Sequence, residues 1–369
     1  MFINRNNYSK DEFYMRLALM QAYKNLGQTK DNPSVGCVIV KNNSVIGAGQ
    51  TSINGRPHAE FNAITFAKDE VKNTDLYVTL EPCSNYGKTP PCVNLISKKR
   101  IKKVFFSVLD PDPLSYKKSI AFFKKKKIKI KKNILYSEIK NFYKSYFKYK
   151  KNNLPFVTAK IAISNDFFTK DRRNKWITNF YARSRGHYIR SSCDSILSTS
   201  KTILDDNSNL TCRIPGLENR SPSRIILDKN LMIPLKSSVF KTSKKHNTII
   251  FFNRFNKSKI KYLKKNKVKL FYAPLEQDGN FDLKKILIKI KRFGFSRLLV
   301  ESGTSLIKNL LSNNLIDDFY LFQSKTFLKK NGKKSFKSIF NIYLKRKKKN
   351  YIKVNLFGDK LIYFNIKNV

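Results

Sequence analysis

The sequence predicts an α/β protein of two domains. A chain of 369 residues is too long for one ordinary hydrophobic core, and its 41% of apolar residues is enough to build two. Apolar runs of strand length alternate with helical patterns along the chain, which is typical of sheets flanked by helices. We predict a first domain over residues 1–145, a junction over 146–154 and a second domain over 155–369.

The elements of the first domain follow in a regular order. The spacing of apolar residues predicts a helix over Asp11–Leu26, which Gly27 ends as a C-cap. Two short apolar runs, Gly36–Val40 and Ser44–Gly47, flank an Asn-containing turn and predict a hairpin. The elements predicted after the hairpin are helices over 58–68 and 91–99, and strands over 75–80, 103–108 and 128–131. This alternation predicts a mixed sheet covered by helices.

The second domain opens with the strand pattern of Pro155–Ser164. Further strands are predicted over 195–198, 224–227, 248–252, 268–273 and 297–300. Helical patterns lie between several of these runs, so the second domain is also predicted to be α/β.

The chain is strongly basic, with 75 Lys and Arg against 25 Asp and Glu and a formal net charge of +50. Such a charge is compatible with nucleic-acid binding through phosphates. The lysines are scattered, however, and the densest runs, Lys124–Lys127 and Lys345–Lys349, are far apart. Lys is abundant together with Asn, Ile, Phe and Tyr, the residues of A/T-rich codons. Biased composition therefore explains the charge better than a nucleic-acid partner, although the positive field would attract phosphorylated small molecules.

A cytoplasmic location is expected. The sequence has no run of about 18 uncharged apolar residues that could cross a membrane. The first residues lack the apolar stretch of a signal peptide. The cysteine count is five, an odd number that favours buried, catalytic or metal-binding thiols over disulfides.

One constellation of residues carries recognisable chemistry. His58 stands two residues before Glu60, and after a predicted strand the chain supplies Cys83 and Cys92. One imidazole and two thiolates leave a fourth zinc position for water, whose pKa zinc lowers toward neutrality. Glu60 could take a proton from this water and pass it to a departing amine. His-x-Glu followed by Pro-Cys and a second Cys is the pattern of zinc-dependent nucleobase deaminases.

The spacing of the cysteines indicates a particular type of deaminase, because eight residues separate Cys83 and Cys92 instead of the usual two. The string PCSNYGKTPPC over 82–92 resembles the deaminase half of the bifunctional riboflavin-biosynthesis deaminase/reductase family, and the flanking runs DNPSVG, YVTLEP and DPDP agree. The resemblance implies a cytidine-deaminase-like three-layer α/β/α domain, a phosphorylated pyrimidine substrate and a homo-oligomer. It also implies that the substrate is contacted by Asn32, Lys88 and Asp110, with Lys88 as the phosphate partner.

The resemblance continues in the second half, through KWIT at 175–178, the run from Arg190 to Arg213, and VESGTSL at 300–306. It implies a dihydrofolate-reductase-like α/β domain that uses NADPH. By position, the residues implied to lie with the cofactor are Trp176, Thr202, Asp206, Ser302, Gly303 and Thr304. Those implied to lie with the substrate are Arg190, Leu210, Arg213 and Glu301. Independently, a buried strand that runs into a small-residue turn and a helix places N–H groups against a phosphate.

The sequence departs from the family pattern at several positions. Thr51 replaces a histidine, Asp112 an asparagine, Asn85 a histidine and Asn174 a serine, and Phe167 replaces a turn glycine. The function implied is zinc-dependent hydrolytic deamination of a diamino-ribosylaminopyrimidinone 5′-phosphate, followed by NADPH-dependent reduction of its ribosyl group to ribityl. Two alternatives stay open: a reductase with an impaired deaminase half, and a nucleic-acid-acting deaminase, which only the charge favours.

Overall fold

The computed structural model describes residues 8–367, and the chain divides into two compact units between Asn152 and Asn153. Each unit has its own sheet and its own apolar core. None of the helices in the described part of the chain is long and apolar enough to cross a membrane.

The first unit is built on a mixed sheet, which has five strands in the described residues. These are β1 (Gly36–Lys41), β2 (Ser44–Gln50), β3 (Asp75–Leu80), β4 (Lys103–Val108) and β5 (Lys129–Lys131). Their order is β2-β1-β3-β4-β5. Strand β1 is antiparallel to both of its neighbours, whereas β3, β4 and β5 are parallel to one another. The predicted hairpin and the strands after it are confirmed.

Helices cover this sheet: α1 (Lys10–Lys24), α2 (Ala59–Ala67), α3 (Cys92–Lys98), α4 (Lys118–Lys125), α5 (Tyr136–Phe142) and α6 (Lys144–Lys151). Two glycines let helices approach the hairpin closely. A Cβ added at Gly36 would lie 1.9 Å from the Ala18 carbonyl oxygen of α1. A Cβ added at Gly49 would lie 2.4 Å from the Ala63 nitrogen of α2. The start of α2 is therefore fixed against the sheet.

The segment predicted as a junction, 146–154, is helical over most of its length. Helix α6 runs to Lys151 and belongs to the first unit. The reason is apolar packing, because Tyr143 and Tyr146 are buried in the core of that unit and their ring centroids lie 6.3 Å apart. Because this segment contains many lysines, its sequence pattern did not indicate that its aromatic residues are buried.

The second unit contains a large sheet, in which nine strands are described. The strands of the whole unit, including two that form a separate small sheet, are in chain order β6 (Phe156–Ile163), β7 (Phe168–Asp171), β8 (Ser195–Thr199), β9 (Ser223–Leu227), β10 (Thr248–Phe252), β11 (Val268–Tyr272), β12 (Arg297–Glu301), β13 (Asp318–Gln323), β14 (Gly332–Ser335), β15 (Asn350–Tyr351) and β16 (Lys360–Asn365). The order is β11-β10-β9-β8-β12-β6-β13-β16-β15, and β7 pairs separately with β14. The strands from β11 to β13 are parallel, and β16 and β15 add an antiparallel edge.

Helices lie on both faces of this sheet: α7 (Phe180–Ser191), α8 (Ser200–Asp206), α9 (Ser238–Lys241), α10 (Lys257–Lys265), α11 (Leu283–Arg292), α12 (Thr304–Ser312) and α13 (Lys337–Ile339). Alternate residues of one strand belong to different apolar clusters, with Ile225 in one and Ile226 in the other. This two-sided burial is characteristic of parallel sheets. Because β8 and β12 are parallel neighbours, the residues after them, including Ser302, meet at one edge.

Candidate active sites

Three side chains of the first unit form a cluster suited to a metal ion. His58 Nδ1 lies 3.5 Å from Cys83 Sγ and 3.4 Å from Cys92 Sγ. Their ligand atoms all lie within 4.8 Å of one another, and within residues 8–367 no other group of three His, Cys, Asp or Glu side chains meets this condition. One nitrogen and two sulfurs fit zinc, which takes three protein ligands in catalytic sites.

The fold brings these ligands together from separate elements. His58 is the N-cap residue of α2, Cys83 follows β3, and Cys92 is the first residue of α3. The Cys92 amide donates to Cys83 Sγ at 3.3 Å. The hydrogen bonds from Cys92 and His58 lower the pKa of Cys83 to about 4, and sharing a proton with Cys83 raises the pKa of Cys92. The cluster therefore favours a thiolate, the form that binds a metal.

Glu60 lies in the first turn of α2, two residues after the His58 ligand. Its side chain is buried at 3% exposure. Burial, and then the charge of Cys83, raises the pKa of Glu60 to about 7. A carboxyl group that titrates near neutrality can both accept and donate a proton, which is the requirement for a general acid/base.

Asp110, predicted to contact substrate, follows β4 and is 7% exposed. Its carboxylate accepts hydrogen bonds from the Tyr146 hydroxyl and the Asp112 amide, each at 3.0 Å. Burial raises the pKa of Asp110 to about 6. The Glu81 carboxylate accepts from the backbone amides of Asp110 and Lys117 and so fixes this loop.

The other two residues predicted to contact substrate occupy loops. Lys88 is exposed in the loop between the two cysteine ligands. Asn32 is half-buried, and its Nδ2 atom lies 2.4 Å from the position that a Cβ of Gly55 would take. Gly55 has a φ of +91° in the loop before His58, so this close approach joins the Asn32 loop to the ligand loop.

Sequence reasoning missed Arg56. Its guanidinium donates to Thr89 Oγ1 and lies 3.2 Å from the position that a Cβ of Gly87 would take. Arg56, two residues before His58, therefore binds Thr89 and lies close to Gly87, the two neighbours of Lys88. In so basic a chain, a single arginine gave no signal by which it could be found.

In the second unit an ion pair joins two residues that were predicted to lie with substrate. Arg190 Nε and Nη2 donate to the two oxygens of Glu301 at 2.6 and 2.8 Å. Lys160 Nζ lies 3.9 Å from Glu301. Although burial opposes the effect, the charges of Arg190 and Lys160 lower the pKa of Glu301 to about 2. Glu301 is therefore ionised at neutral pH.

Lys160 and His187 were not predicted to be functional, yet both join this ion pair. His187 Nδ1 lies 3.1 Å from the Thr211 carbonyl oxygen, to which Arg190 Nη1 also donates. Burial, and then Arg190, lowers the pKa of His187 to about 4, and burial lowers the pKa of Lys160. A lysine within the apolar strand pattern PFVTAKIAIS was the one signal that could have indicated Lys160.

Four of the six residues predicted to lie with the cofactor, Thr202, Ser302, Gly303 and Thr304, lie beside the ends of β8 and β12. The hydroxyls of Thr199, Thr202 and Ser302 lie 3.2 to 3.4 Å apart. Gly303 is the N-cap of α12, Thr304 is its first residue, and a Cβ at Gly303 would meet nothing within 4 Å. Three hydroxyls beside an open helix N-terminus suit a phosphate group.

Two further residues of this set lie at the surface of the unit. Trp176 is 53% exposed, and the Arg183 guanidinium lies 4.9 Å from the centroid of its ring. Asp206 is exposed at the end of α8, with an oxygen 3.9 Å from Lys170 Nζ.

Comparison with known proteins identifies a family for each of the two units. The family model described as the RibD C-terminal domain matches residues 155–349, and the model of the cytidine and deoxycytidylate deaminase zinc-binding region matches residues 8–108. The riboflavin biosynthesis protein RibD of Aquifex aeolicus is 33% identical over 359 residues, which cover 96% of this chain and 98% of that protein. The chain belongs to the RibD family.

Solved structures of RibD proteins agree over almost the whole length. That of Acinetobacter baumannii RibD matches with a TM-score of 0.83 and 26% identity, covering 97% of this chain and 99% of that one. The structure of a diaminohydroxyphosphoribosylaminopyrimidine deaminase/5-amino-6-(5-phosphoribosylamino)uracil reductase from Thermotoga maritima matches with a TM-score of 0.82 and 29% identity, with the same coverage. As a RibD protein, this chain is a bifunctional deaminase and reductase of riboflavin biosynthesis. Its cofactors are zinc and NADPH.

Four positions that were predicted to depart from the family pattern have hydrogen-bond or ion-pair partners in the structure. Thr51 is buried, and its hydroxyl accepts the Val35 amide at 2.9 Å. Asp112 pairs with Lys150 at 2.8 Å. The Asn85 amide donates to the Leu114 carbonyl, and the Asn174 amide donates to Asp171, so these exchanged residues stabilise loops.

The two remaining positions predicted to lie with substrate differ in accessibility. Leu210 is 2% exposed with a φ of +56°, and its side chain packs in an apolar cluster. Only the Leu210 backbone can therefore face a ligand. Arg213 is exposed as a whole residue, but partial desolvation of its guanidinium, followed by the charge of Arg190, lowers the pKa of that group.

Proposed function

We propose that the first unit deaminates a diamino-ribosylaminopyrimidinone 5′-phosphate and that the second unit reduces the ribosyl group of the product to ribityl. The observation that carries the first step is the buried Glu60 carboxyl beside the His58, Cys83 and Cys92 cluster. The Thermotoga maritima protein is named for these two reactions, which supports the same substrates for this chain.

Deamination requires a water proton to be moved to the leaving nitrogen. Zinc held by His58, Cys83 and Cys92 supplies, when bound, a Lewis acid that lowers the pKa of water. Glu60 takes one proton from the attacking water and passes it to the neighbouring ring nitrogen as the water oxygen bonds to the ring carbon. It then moves the remaining hydroxyl proton to the amino nitrogen. The carbon–nitrogen bond breaks, ammonia leaves and the oxygen stays on the ring carbon as a carbonyl. With a pKa of about 7, Glu60 is suited to both transfers.

Three residues of the first unit are proposed to hold the substrate. Lys88 is exposed and cationic, which suits the 5′-phosphate. Asp110 is fixed by Tyr146 and can accept a hydrogen bond from a pyrimidine amine. The Asn32 amide can both donate and accept at the ring edge.

Reduction of the sugar adds a hydride to C1′, breaks the C1′–O4′ bond and places a proton on O4′. NADPH supplies the hydride. We assign the proton to Lys160, because its half-buried ammonium has a lowered pKa and lies 3.9 Å from Glu301. Arg190 and Glu301 hold Lys160 and the sugar in position, while Arg213 and the Leu210 backbone contact the phosphate and the ring.

The cofactor is proposed to lie along the edge formed by the ends of β8 and β12. The residues assigned to it are Trp176, Thr202, Asp206, Ser302, Gly303 and Thr304. The hydroxyls and the first turn of α12 would hold a cofactor phosphate, since free N–H groups and the helix dipole favour an anion there. Trp176 offers an aromatic face for stacking.

Lys160→Gln and Lys160→Arg test the reductase assignment. Both variants should bind NADPH as the wild type does, because Lys160 is assigned to the sugar. Lys160→Gln should lose about 10²-fold or more in kcat for the deaminated substrate, and Lys160→Arg should be similarly slow because arginine does not release its proton. Deaminase activity in the same chain is the internal control. Unchanged reduction by both variants would refute the role of Lys160.

Location and assembly are part of the same proposal. The described cysteines, Cys37, Cys83, Cys92, Cys193 and Cys212, are free thiols, which supports a reducing compartment such as the cytoplasm. We further propose a homo-oligomer that does not bind nucleic acid. Light scattering would measure the assembly, and salt-dependent RNA binding at physiological ionic strength would contradict the second part.

A further inference from the structure

The second unit contains a fully buried cation that the proposed reaction does not use. Arg224 lies in β9 at 0% exposure. It forms no ion pair with the acidic side chains described, and burial alone lowers the pKa of its guanidinium to about 10. A buried charge is unfavourable unless polar groups satisfy it, whereas an apolar side chain would fill the same volume without that cost. The residues that accept hydrogen bonds from Arg224 therefore indicate which part of the structure this buried charge holds in place.

The acceptors of Arg224 are all uncharged. Nε and Nη2 donate to Thr248 Oγ1 at 3.1 and 2.7 Å. Nη2 also donates to the carbonyls of Val239 and His246, at 2.8 and 3.2 Å. Nη1 donates to Thr242 Oγ1 at 2.7 Å. These contacts join Arg224 to the neighbouring strand β10, to α9 and to the segment after α9.

The remaining acceptor is a loop residue. Arg224 Nη1 donates to both the carbonyl and the side-chain oxygen of Asn209, at 3.2 and 2.8 Å. Thr242 Oγ1 lies 2.7 Å from the same side-chain oxygen. Asn209 directly precedes Leu210, whose φ of +56° is strained for a non-glycine residue. The buried charge thus holds the backbone where it makes a strained turn.

The loop is held again on the other side of Leu210. The Thr211 carbonyl accepts from Arg190, the residue that pairs with Glu301, and the Cys212 amide donates to Ser221 Oγ at 3.0 Å. Two arginines from different elements therefore bind successive parts of one loop, Arg224 before the strained residue and Arg190 after it.

We propose that Arg224, acting through Asn209, is a positioning residue that fixes the Leu210 backbone and Arg213 for binding the reductase substrate. The inference rests on the proposed function, because it assigns these residues to the ribosylated pyrimidine phosphate. Arg224 does not contact the substrate. It restricts the loop to one conformation, so its effect is expected in KM and in the mobility of the loop.

Asn209→Leu is the primary test, because Arg224→Met empties a buried polar site and could prevent folding. Asn209→Leu should raise the KM for 5-amino-6-(5-phosphoribosylamino)uracil about tenfold, the effect of one lost hydrogen bond to a charged group. The kcat should change less than twofold. Hydrogen exchange of the amides of 209–213 should become faster in the same variant, with no substrate present.

Two variants separate positioning from general stability. Asn209→Asp keeps the acceptor oxygens and adds a charge partner for Arg224, so it should restore the wild-type KM. Thr248→Val removes an acceptor of Arg224 that lies on β10 and should lower the melting temperature without changing KM. A normal KM and normal exchange in Asn209→Leu would overturn the inference, as would an equal rise of KM in Thr248→Val. Absence of reduction by the wild-type chain would instead overturn the proposed function.

Discussion

Glu301 is predicted to be the residue on which the buried charge cluster of the second unit depends. It is the one acid facing Arg190, Lys160 and His187 in the contacts described for this cluster. The change to test is Glu301→Gln, which keeps the shape of the side chain and removes its charge. Three basic groups would then share a site that is largely screened from water.

The structure gives the magnitude. The pKa of Glu301 falls from its usual 4.5 to about 2, which corresponds to about 3 kcal/mol in favour of the ionised form. The Glu301 side chain is 12% exposed and that of Arg190 15%, so solvent screening removes little of this energy. Breaking a buried ion pair by removing one partner typically costs about 3 to 5 kcal/mol. For a unit of this size, a loss of about 3 kcal/mol lowers the melting temperature by roughly 6 to 12 °C.

Differential scanning calorimetry measures this effect. The transition of the second unit is identified by its shift on adding NADPH, since a ligand stabilises the unit that binds it. Glu70→Gln is the matched control, because Glu70 pairs with Lys41 at 3.8 Å on the exposed surface of the first unit and should contribute less than about 1 kcal/mol. Arg190→Met combined with Glu301→Gln should recover part of the loss, because both charges are then gone.

The pH dependence supplies a second check with a definite sign. Folding lowers the pKa of Glu301, so its contribution is complete above pH 4.5 and is lost as the pH falls toward about 2. The difference in stability between wild type and Glu301→Gln should shrink over that range. A difference below about 1 kcal/mol at neutral pH, equal to that of Glu70→Gln, would show that the Glu301 ion pair does not stabilise the second unit.

Three further predictions follow from single contacts. His187, whose pKa is lowered to about 4, should stay neutral and show no NMR titration between about pH 6 and 8. Because folding lowers this pKa from 6.5, the contribution of His187 to stability is complete above pH 6.5 and is lost as the pH falls toward 4. Arg56→Ala should raise the KM of the deaminase about tenfold and leave the zinc content unchanged, because the loop that carries Lys88 loses its hydrogen bond to Arg56. Arg56→Lys should recover little of the lost affinity, and a normal KM in Arg56→Ala would contradict this role. Tyr146→Phe should destabilise the first unit by about 1 to 3 kcal/mol, measured by urea unfolding, because the buried carboxylate of Asp110 loses a donor; an unchanged midpoint would count against that hydrogen bond.

The sequence predicted the fold where patterns were local and strong. The hairpin of β1 and β2, and the parallel strands β3 and β4, came from short apolar runs between turn residues. The strands β13 and β16 were missed, because a short apolar run does not by periodicity alone distinguish a buried strand from a buried helical segment. Strands β7 and β14 have little buried surface and gave no apolar pattern.

The metal cluster could be predicted because His and Cys are infrequent in this chain and because His58, Glu60, Cys83 and Cys92 follow one another in the order typical of a zinc site. The environment of Glu60 could not, since its pKa depends on burial that only the packed α2 provides. Arg224 was not predicted for the opposite reason. In a chain with 75 basic residues, one arginine is not distinguishable from the others by residue type, and only its burial identifies it.

Metal content and ammonia release, measured on the wild-type chain and on Glu60→Gln, directly test zinc-dependent deamination by the first unit. We expect about one zinc ion per chain in both proteins. The wild type should release ammonia from the diaminopyrimidine phosphate, and Glu60→Gln should lose about 10²-fold or more of this activity. Zinc without ammonia release in the wild type would leave the reductase as the working activity. Absence of zinc from the wild-type protein would contradict the assignment of His58, Cys83 and Cys92 as its ligands.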